Sequence, residues 1–221
     1  MRILLLFLPA MLLAQTPAPS TAQTKTVPTK AAPAKAAPAA AAAAKNFKES
    51  GSPTAKITIE IYTDYECPAC RQLYLEILPQ LNTDYVATGK VRILHRDFPL
   101  QMHNFSRVAA RFANAAGQIG RYDLVATQIF KTQADWSQNG AIDPQVAKVL
   151  SPAEMQKVRD LVKNDQHLDD TVTADVAMGN KDNLTQTPTM EVVVKGSRQQ
   201  IAGSVPYGIL KSYLDQLLAK S

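Results

Sequence analysis

Cys67 and Cys70 are the only cysteines in the 221-residue chain, and they stand three positions apart. Pro68 and Ala69 lie between them. Proline is common at the first position of a helix, so Pro68 predicts a helix that begins here with Cys67 as its N-cap. Free backbone N–H groups and the positive end of the helix dipole stabilise an anion at that position. A thiolate there has a lowered pKa and reacts readily in disulfide exchange, as nucleophile and as leaving group.

Cys70 follows one turn later on the same face of the predicted helix. We therefore expect Cys67 to be the attacking cysteine and Cys70 the more buried, resolving cysteine. A zinc half-site, a copper-transfer site and a structural disulfide are the alternatives. Zinc needs further ligands, for which the chain offers no second cysteine pair and only three histidines. A disulfide across one helical turn closes too small a loop to stabilise the fold much. We therefore interpret the cysteine pair as a redox site.

The cysteines lie between two predicted strands. Residues 55–62 alternate β-branched apolar and polar side chains, which is typical of a strand. Apolar residues recur at helical spacing from the cysteines to Gly89, which predicts a helix there. Pro79 inside this pattern predicts a kink. Residues 90–95 read as a second strand. The order strand, helix, strand predicts a right-handed parallel crossover.

A block of helical periodicity follows, from Asn104 to about Gly179. Two N-caps followed by proline are expected within it, at Asp143-Pro144 and Ser151-Pro152. After the block come strands at 190–194 and 199–202 and a last helix near 209–218. The predicted order is β-α-β, a helical block, then β-β-α, which is an α/β fold.

The first 51 residues differ in composition from the rest. Residues 1–22 begin with Met-Arg and an apolar run of twelve residues, too short to span a bilayer, which predicts a cleaved signal peptide. Residues 23–51 are rich in alanine, proline and lysine and bury too little apolar surface to offset their ordering entropy. They are expected to be a disordered leader, and residues 52–221 to form the domain.

The formal charge of +5 is confined to the N-terminal segment, because residues 1–45 hold five basic residues and no acidic one. The remainder has 19 basic and 19 acidic residues. A balanced domain gives no reason to expect nucleic acid as a partner.

Three motifs resemble the DsbA-type branch of the thioredoxin superfamily, which are exported thiol-disulfide oxidoreductases. They are TDYECPAC at 63–70, RDFPL at 96–100 followed by His103, and QTPT at 186–189. The resemblance covers about residues 52–220. It implies a thioredoxin fold with an inserted helical domain at about 102–182. It also implies that Pro188 is cis, faces the cysteines and takes part in catalysis with them.

The same resemblance implies how a substrate is held. The cis bond turns the Thr187 backbone toward Cys67, where it offers strand-like hydrogen bonds to an extended peptide. Thr187, Pro68 and Ala69 are therefore the expected substrate-binding residues. His103 is a candidate for a minor role near the site, although a hydrogen bond at a helix start explains it equally well.

The sequence departs from its relatives at three positions. Ala69 replaces a histidine of the best-known oxidase, which predicts weaker oxidising power. Ile61 stands where many relatives carry a buried acid six residues before the first cysteine, with Glu60 one step away. Thr187 is the residue type of the isomerases and of some oxidases, and leaves the direction of electron flow open.

These features predict a periplasmic dithiol-disulfide oxidoreductase that donates the Cys67–Cys70 disulfide to folding exported proteins. Its expected partners are reduced or unfolded exported proteins and a quinone-linked membrane protein that reoxidises it. No cofactor and no metal are expected. The isomerase relatives resemble dimers built through a folded N-terminal domain, which residues 15–50 are not expected to form, so a monomeric oxidase is favoured. The alternatives are a reductase or isomerase that uses the same site, and a non-enzymatic chaperone.

Overall fold

The structure is a computed structural model that describes residues 46–220. The predicted signal peptide, residues 1–22, and the leader up to residue 45 lie outside the described residues. The strands are β1 (Glu49–Ser50), β2 (Ile57–Thr63), β3 (Val91–Asp97), β4 (Thr189–Val194) and β5 (Ser197–Ala202). The helices are α1 (Pro68–Gln72), α2 (Leu78–Leu81), α3 (Ser106–Gln118), α4 (Tyr122–Lys131), α5 (Gln133–Trp136), α6 (Ile142–Val146), α7 (Pro152–Asn164), α8 (His167–Lys181) and α9 (Tyr207–Ala219), with π-helical turns at Leu73–Ile77 and Asn82–Val86.

The strands form one sheet in the order β1-β3-β2-β4-β5. β2 and β3 are parallel, and every other neighbouring pair is antiparallel. The connection from β2 to β3 is the helical segment that starts at Pro68, so the predicted strand-helix-strand unit is confirmed. Helices α3–α8 lie between β3 and β4, which confirms the predicted helical block. The C-terminal end of β2 leads directly into the cysteines.

The described fold begins before residue 52, where the domain was expected to start. Glu49 and Ser50 pair with β3 as β1. The preceding Lys48 is buried and donates from Nζ to Asp97 and, at 2.8 Å, to Asp175. The expected boundary is therefore too late, because this short segment is held by sheet pairing and by buried ion pairs with distant residues.

The helix that follows the cysteines is interrupted rather than simply kinked. Two π-helical turns flank α2, which contains Pro79 at one of its first positions. Proline supplies no backbone N–H and clashes with the preceding turn, so the regular hydrogen-bond ladder cannot pass through it. Wider turns on either side accommodate the break. The predicted irregularity at Pro79 is confirmed, and its form is a pair of π turns.

The helical block packs directly on the segment that carries the cysteines. The ring of Phe130 in α4 stacks on Tyr65 and on Tyr74, with ring centroids 4.7 Å apart in each pair. Trp136 in α5 is fully buried, and its indole N–H donates to the Ile129 carbonyl at 2.9 Å. These aromatic contacts fix the insert against the strand-to-helix turn.

One of the two predicted N-caps is confirmed. Ser151 and Glu154 form a complete capping box at the start of α7. The other prediction was wrong, because α6 begins at Ile142 and Asp143 lies inside its first turn. The Asp143 carboxylate instead pairs with Arg159, at 2.7 and 2.8 Å. Within residues 46–220, no helix has the length and apolar character needed to cross a membrane.

Candidate active site

Cys67 occupies the N-cap of α1, with Pro68 in the first turn, as the sequence predicts. Its backbone is extended, and its carbonyl accepts the N–H of Arg71 at 3.1 Å, the first hydrogen bond of the helix. The first N–H groups of a helix have no partner inside it. Both cysteines are free thiols. Cys67 is 8% exposed and Cys70 is completely buried.

The pKa of the Cys67 thiol is lowered to about 5. A hydrogen bond from the Cys70 side chain is the largest cause, and burial of Cys67 opposes it. The backbone N–H groups of Cys70 and Ala69 and the side chain of Thr187 lower the pKa further. At neutral pH the Cys67 sulfur is therefore a thiolate. The activation comes from helix-start donors and from the second cysteine, in agreement with the prediction from position.

The pKa of Cys70 moves in the opposite direction, well above its ordinary value. Burial is the main cause, and the neighbouring Cys67 sulfur adds to it. The backbone N–H of Asp64 donates to Cys70 Sγ at 3.4 Å. Cys70 is thus a protonated, completely buried thiol beside a thiolate that retains a small exposed area. This difference is what the roles of attacking and resolving cysteine require.

Thr187 reaches the cysteines from the C-terminal part of the fold, and Pro188 follows it in the chain. The bond between them is cis, and the Cys67 thiol lies 3.3 Å from the Thr187 carbonyl oxygen. Thr187 and Pro188 are both buried. The Thr187 hydroxyl is buried without a hydrogen-bond partner among the described residues, and the Thr187 side chain lowers the pKa of both cysteines. The arrangement places a backbone segment beside the reactive sulfur.

Gln133 is a residue of the site that the sequence did not reveal. Its side chain is buried, and Nε2 donates to the carbonyls of Tyr65 and Cys67 at 2.7 and 3.1 Å. Gln133 belongs to α5 in the inserted block. It therefore ties the insert to the turn that presents Cys67. A polar residue in a helical pattern gives no signal of such a contact.

Asp64 is a second residue that the sequence did not single out. It is fully buried, and its Oδ2 contacts Nδ1 of His103 at 2.8 Å. His103 therefore lies beside the site through Asp64. The alternative of a helix-start hydrogen bond is wrong for His103, because no side chain caps the start of α3 and the imidazole contacts Asp64 instead.

The other positions that the sequence analysis singled out are Pro68, Ala69 and Ile61. Pro68 is exposed and Ala69 is half-buried, directly after Cys67 in the chain. Ile61 is buried and pairs across the sheet with His95. Burial and the positive charge of Lys48 lower the pKa of His95 to about 4, so its imidazole is neutral.

Glu60 does not replace the missing acid. Its carboxylate pairs with Arg96 at 3.1 Å and with Arg198 at 3.2 Å. Within residues 46–220, no group of three or more histidine, cysteine or acidic side chains is arranged to hold a metal ion. What the arrangement can do chemically is thiol-disulfide exchange, with the slightly exposed Cys67 facing a partner sulfur and the completely buried Cys70 behind it.

Comparison with known proteins gives a consistent picture. A protein-family model described as thioredoxin matches residues 30–215. A relative from Bacillus cereus, described as "Probable disulfide bond formation protein D", is 35% identical over 49 residues. That match covers 22% of this chain and only 23% of the relative.

Two solved structures resemble the chain over most of its length. The crystal structure of alpha-DsbA1 of Wolbachia pipientis has a TM-score of 0.67 and 20% identity, covering 78% of this chain and 91% of that one. The structure of DsbA2 of Pseudomonas aeruginosa has a TM-score of 0.61 and 27% identity, covering 78% and 94%. The expected α/β thioredoxin fold with an inserted helical domain is thereby confirmed.

Proposed function

The chain belongs to the thioredoxin family, and from this premise we propose that it is an exported thiol-disulfide oxidoreductase that oxidises reduced client proteins. One observation carries the proposal. The Cys67 thiol, whose pKa is lowered to about 5, lies at a helix start directly beside a buried partner thiol and the Thr187 carbonyl. The similarity to a disulfide bond formation protein and to DsbA structures supports the same chemistry.

The reaction follows from the two sulfurs. In the oxidised protein, a client thiolate attacks Cys67 Sγ, the Cys67–Cys70 bond breaks, and its electron pair goes to Cys70. A second client thiolate then attacks the client sulfur of the mixed disulfide and releases Cys67 as a thiolate. The client gains a disulfide and loses two electrons, which reduce the protein to its dithiol form. Cys70 takes one proton from solvent, since its pKa lies above the ordinary range.

Stabilisation of the Cys67 thiolate favours the oxidising direction. Any interaction that stabilises the reduced form makes the disulfide easier to reduce and hence a stronger oxidant. We therefore place oxidation of clients ahead of reduction or isomerisation.

The client would lie as an extended segment along Thr187 and cis-Pro188, with Pro68 and Ala69 at its edge. An extended peptide that lies against an extended backbone segment can form strand-like hydrogen bonds with it. Reduced proteins entering an oxidising compartment are the proposed clients, and the export signal predicted at residues 1–22 supports that location. A quinone-linked membrane protein is the proposed reoxidant, and the protein is proposed to act as a monomer.

Oxidative refolding tests this function. A reduced protein with several disulfides is mixed with the oxidised full-length chain, and recovery of activity and loss of free thiols are followed. We expect about one client disulfide per oxidised chain, and no oxidation by the Cys67→Ser/Cys70→Ser double variant. Faster reactivation of a scrambled client than oxidation of a reduced one would favour the isomerase. Full activity of the double variant would favour the chaperone.

A further inference from the structure

A set of hydrogen bonds behind Cys70 holds the backbone of Asp64 in one orientation. The N–H of Asp64 donates to Cys70 Sγ at 3.4 Å. The carboxylate of the same residue accepts the N–H of Glu66 at 2.7 Å, the N–H of Leu100 at 2.7 Å and Nδ1 of His103 at 2.8 Å. Asp64 thus connects the buried sulfur to the loop that follows β3.

Of the three groups that contact the Asp64 carboxylate, only His103 contributes a side chain. The contact with His103 is a hydrogen bond to the Asp64 carboxylate when the imidazole carries its proton on Nδ1. The other two groups are backbone N–H groups, which a side-chain substitution leaves in place. The imidazole belongs to a side chain that is 21% exposed. The peptide that carries the Asp64 N–H is also held by the N–H of Phe98, which donates to the Thr63 carbonyl at 2.8 Å. His103 is thus the one side-chain contact in this set that a substitution can remove.

We propose that the Asp64 N–H stabilises the negative charge that develops on Cys70 when the disulfide breaks, and that His103 is the positioning residue that aims it. The inference rests on the proposed function. When a client thiolate bonds to Cys67 Sγ, the electron pair of the broken bond goes to Cys70. That sulfur is completely buried, so solvent does not hydrate its charge. A fixed N–H donor in such a dry site is worth more than in water.

A donor of this kind affects rates more than the equilibrium. In the reduced protein Cys70 is a neutral thiol, and in the oxidised protein it is in a disulfide, so its sulfur carries full charge only between these states. An interaction present mainly in the transition state speeds the reaction in both directions and leaves the end states alone. Loss of the His103 contact is expected to slow exchange without changing the potential.

The test compares His103→Leu, His103→Asn and His167→Leu in the full-length chain. Asparagine can place an amide donor where Nδ1 stands, and His167 is a 90% exposed control at the start of α8. Each oxidised variant is mixed with a reduced two-cysteine peptide, and the second-order rate is measured. The potential against glutathione and the Cys67 thiolate absorbance near 240 nm are measured on the same samples.

His103→Leu is expected to lower the rate by up to about tenfold, the size of one hydrogen bond to a charged group, because the Asp64 N–H remains but is displaced from Cys70. His103→Asn is expected to restore most of that loss, and His167→Leu to leave the rate unchanged. The potential and the Cys67 titration should match wild type in all three. Should His103→Leu not fold, His103→Gln replaces it, with a displaced donor and an intermediate rate expected.

An unchanged rate in the folded Leu or Gln variant overturns the inference. So does a shift of the potential or of the Cys67 titration that accounts for the slower rate, since His103 would then act on Cys67. An Asn variant as slow as the Leu variant overturns it as well. Wild type that does not oxidise the peptide refutes the proposed function itself, which separates that failure from the others.

Discussion

The Cys67 thiol lies 3.3 Å from the carbonyl oxygen of Thr187, a residue 120 positions later in the chain. The contact joins the helix start after β2 to the cis-proline turn before β4. The reactive sulfur therefore sits between donors from its own helix and backbone from the C-terminal part of the fold. Its reactivity depends on both.

Replacement of Thr187 by valine removes the hydroxyl and keeps the shape of the side chain. Because that side chain lowers the pKa of Cys67, the titration midpoint of Thr187→Val should lie above the value of about 5 expected for wild type. Cys70→Ala should raise it further, since the Cys70 hydrogen bond is the larger cause. Thiolate absorbance near 240 nm reports both. The exposed Thr185→Val is the control, and a larger effect of Thr187→Val than of Cys70→Ala would contradict the account.

The reduced form should gain stability relative to the oxidised form as pH rises from about 5 to about 8.5. The folded pKa of Cys67 is lowered to about 5, against about 8.5 in the unfolded chain, so the gain is fully present above 8.5 and lost as pH falls through 5. The slope is about 1.4 kcal/mol per pH unit. Above 8.5 the raised pKa of Cys70 reverses the trend, because the unfolded thiol ionises first.

Guanidinium unfolding of both redox forms between pH 5 and 8 measures this difference. In Cys67→Ser the stability of the protein should show no such slope relative to oxidised wild type. A difference between the two wild-type forms that stays flat over this range would mean that Cys67 has an ordinary pKa.

Gln133→Leu should destabilise the protein by about 1–3 kcal/mol, because it removes donors to two backbone carbonyls next to Cys67. Urea unfolding of the oxidised form is the measurement. The exposed Gln138→Leu serves as matched control and is expected to change stability by no more than about 0.5 kcal/mol. Equal stabilities of the two variants would show that the Gln133 hydrogen bonds do not stabilise the contact between the helical insert and the active site.

Lys48→Met should destabilise the protein by about 3–5 kcal/mol, because it leaves the buried carboxylate of Asp97 without its cation and leaves Asp175 with Arg96 alone. Asp175→Asn should lower the free energy of unfolding much less in the Lys48→Met variant than in wild type, because Lys48 and Asp175 interact directly. Lys157→Met, at an exposed position in α7, is the control. Additive effects of the first two substitutions would show that Lys48 and Asp175 are not coupled.

The features that could be predicted from the sequence are those that depend on residues close together in the chain. Strand alternation, helical spacing and the proline after Cys67 gave the element order and the N-cap position of Cys67. The Lys48 ion pairs could not be predicted, because its partners lie 49 and 127 positions away. Gln133 reaches the Tyr65 carbonyl from 68 positions away. Such contacts depend on how elements pack, and neither periodicity nor composition records that.

The assignment of Cys67 as the exchanging cysteine and Cys70 as the resolving one is tested most directly by trapping. Cys70→Ser and Cys67→Ser are each incubated with oxidised glutathione, and the adducts are mapped by mass spectrometry under non-reducing conditions. Cys70→Ser should form a mixed disulfide on Cys67 that persists for lack of a resolving thiol, whereas Cys67→Ser, with only the buried Cys70, should accumulate little. Equal labelling of the two variants, or faster labelling of Cys70, would contradict this assignment.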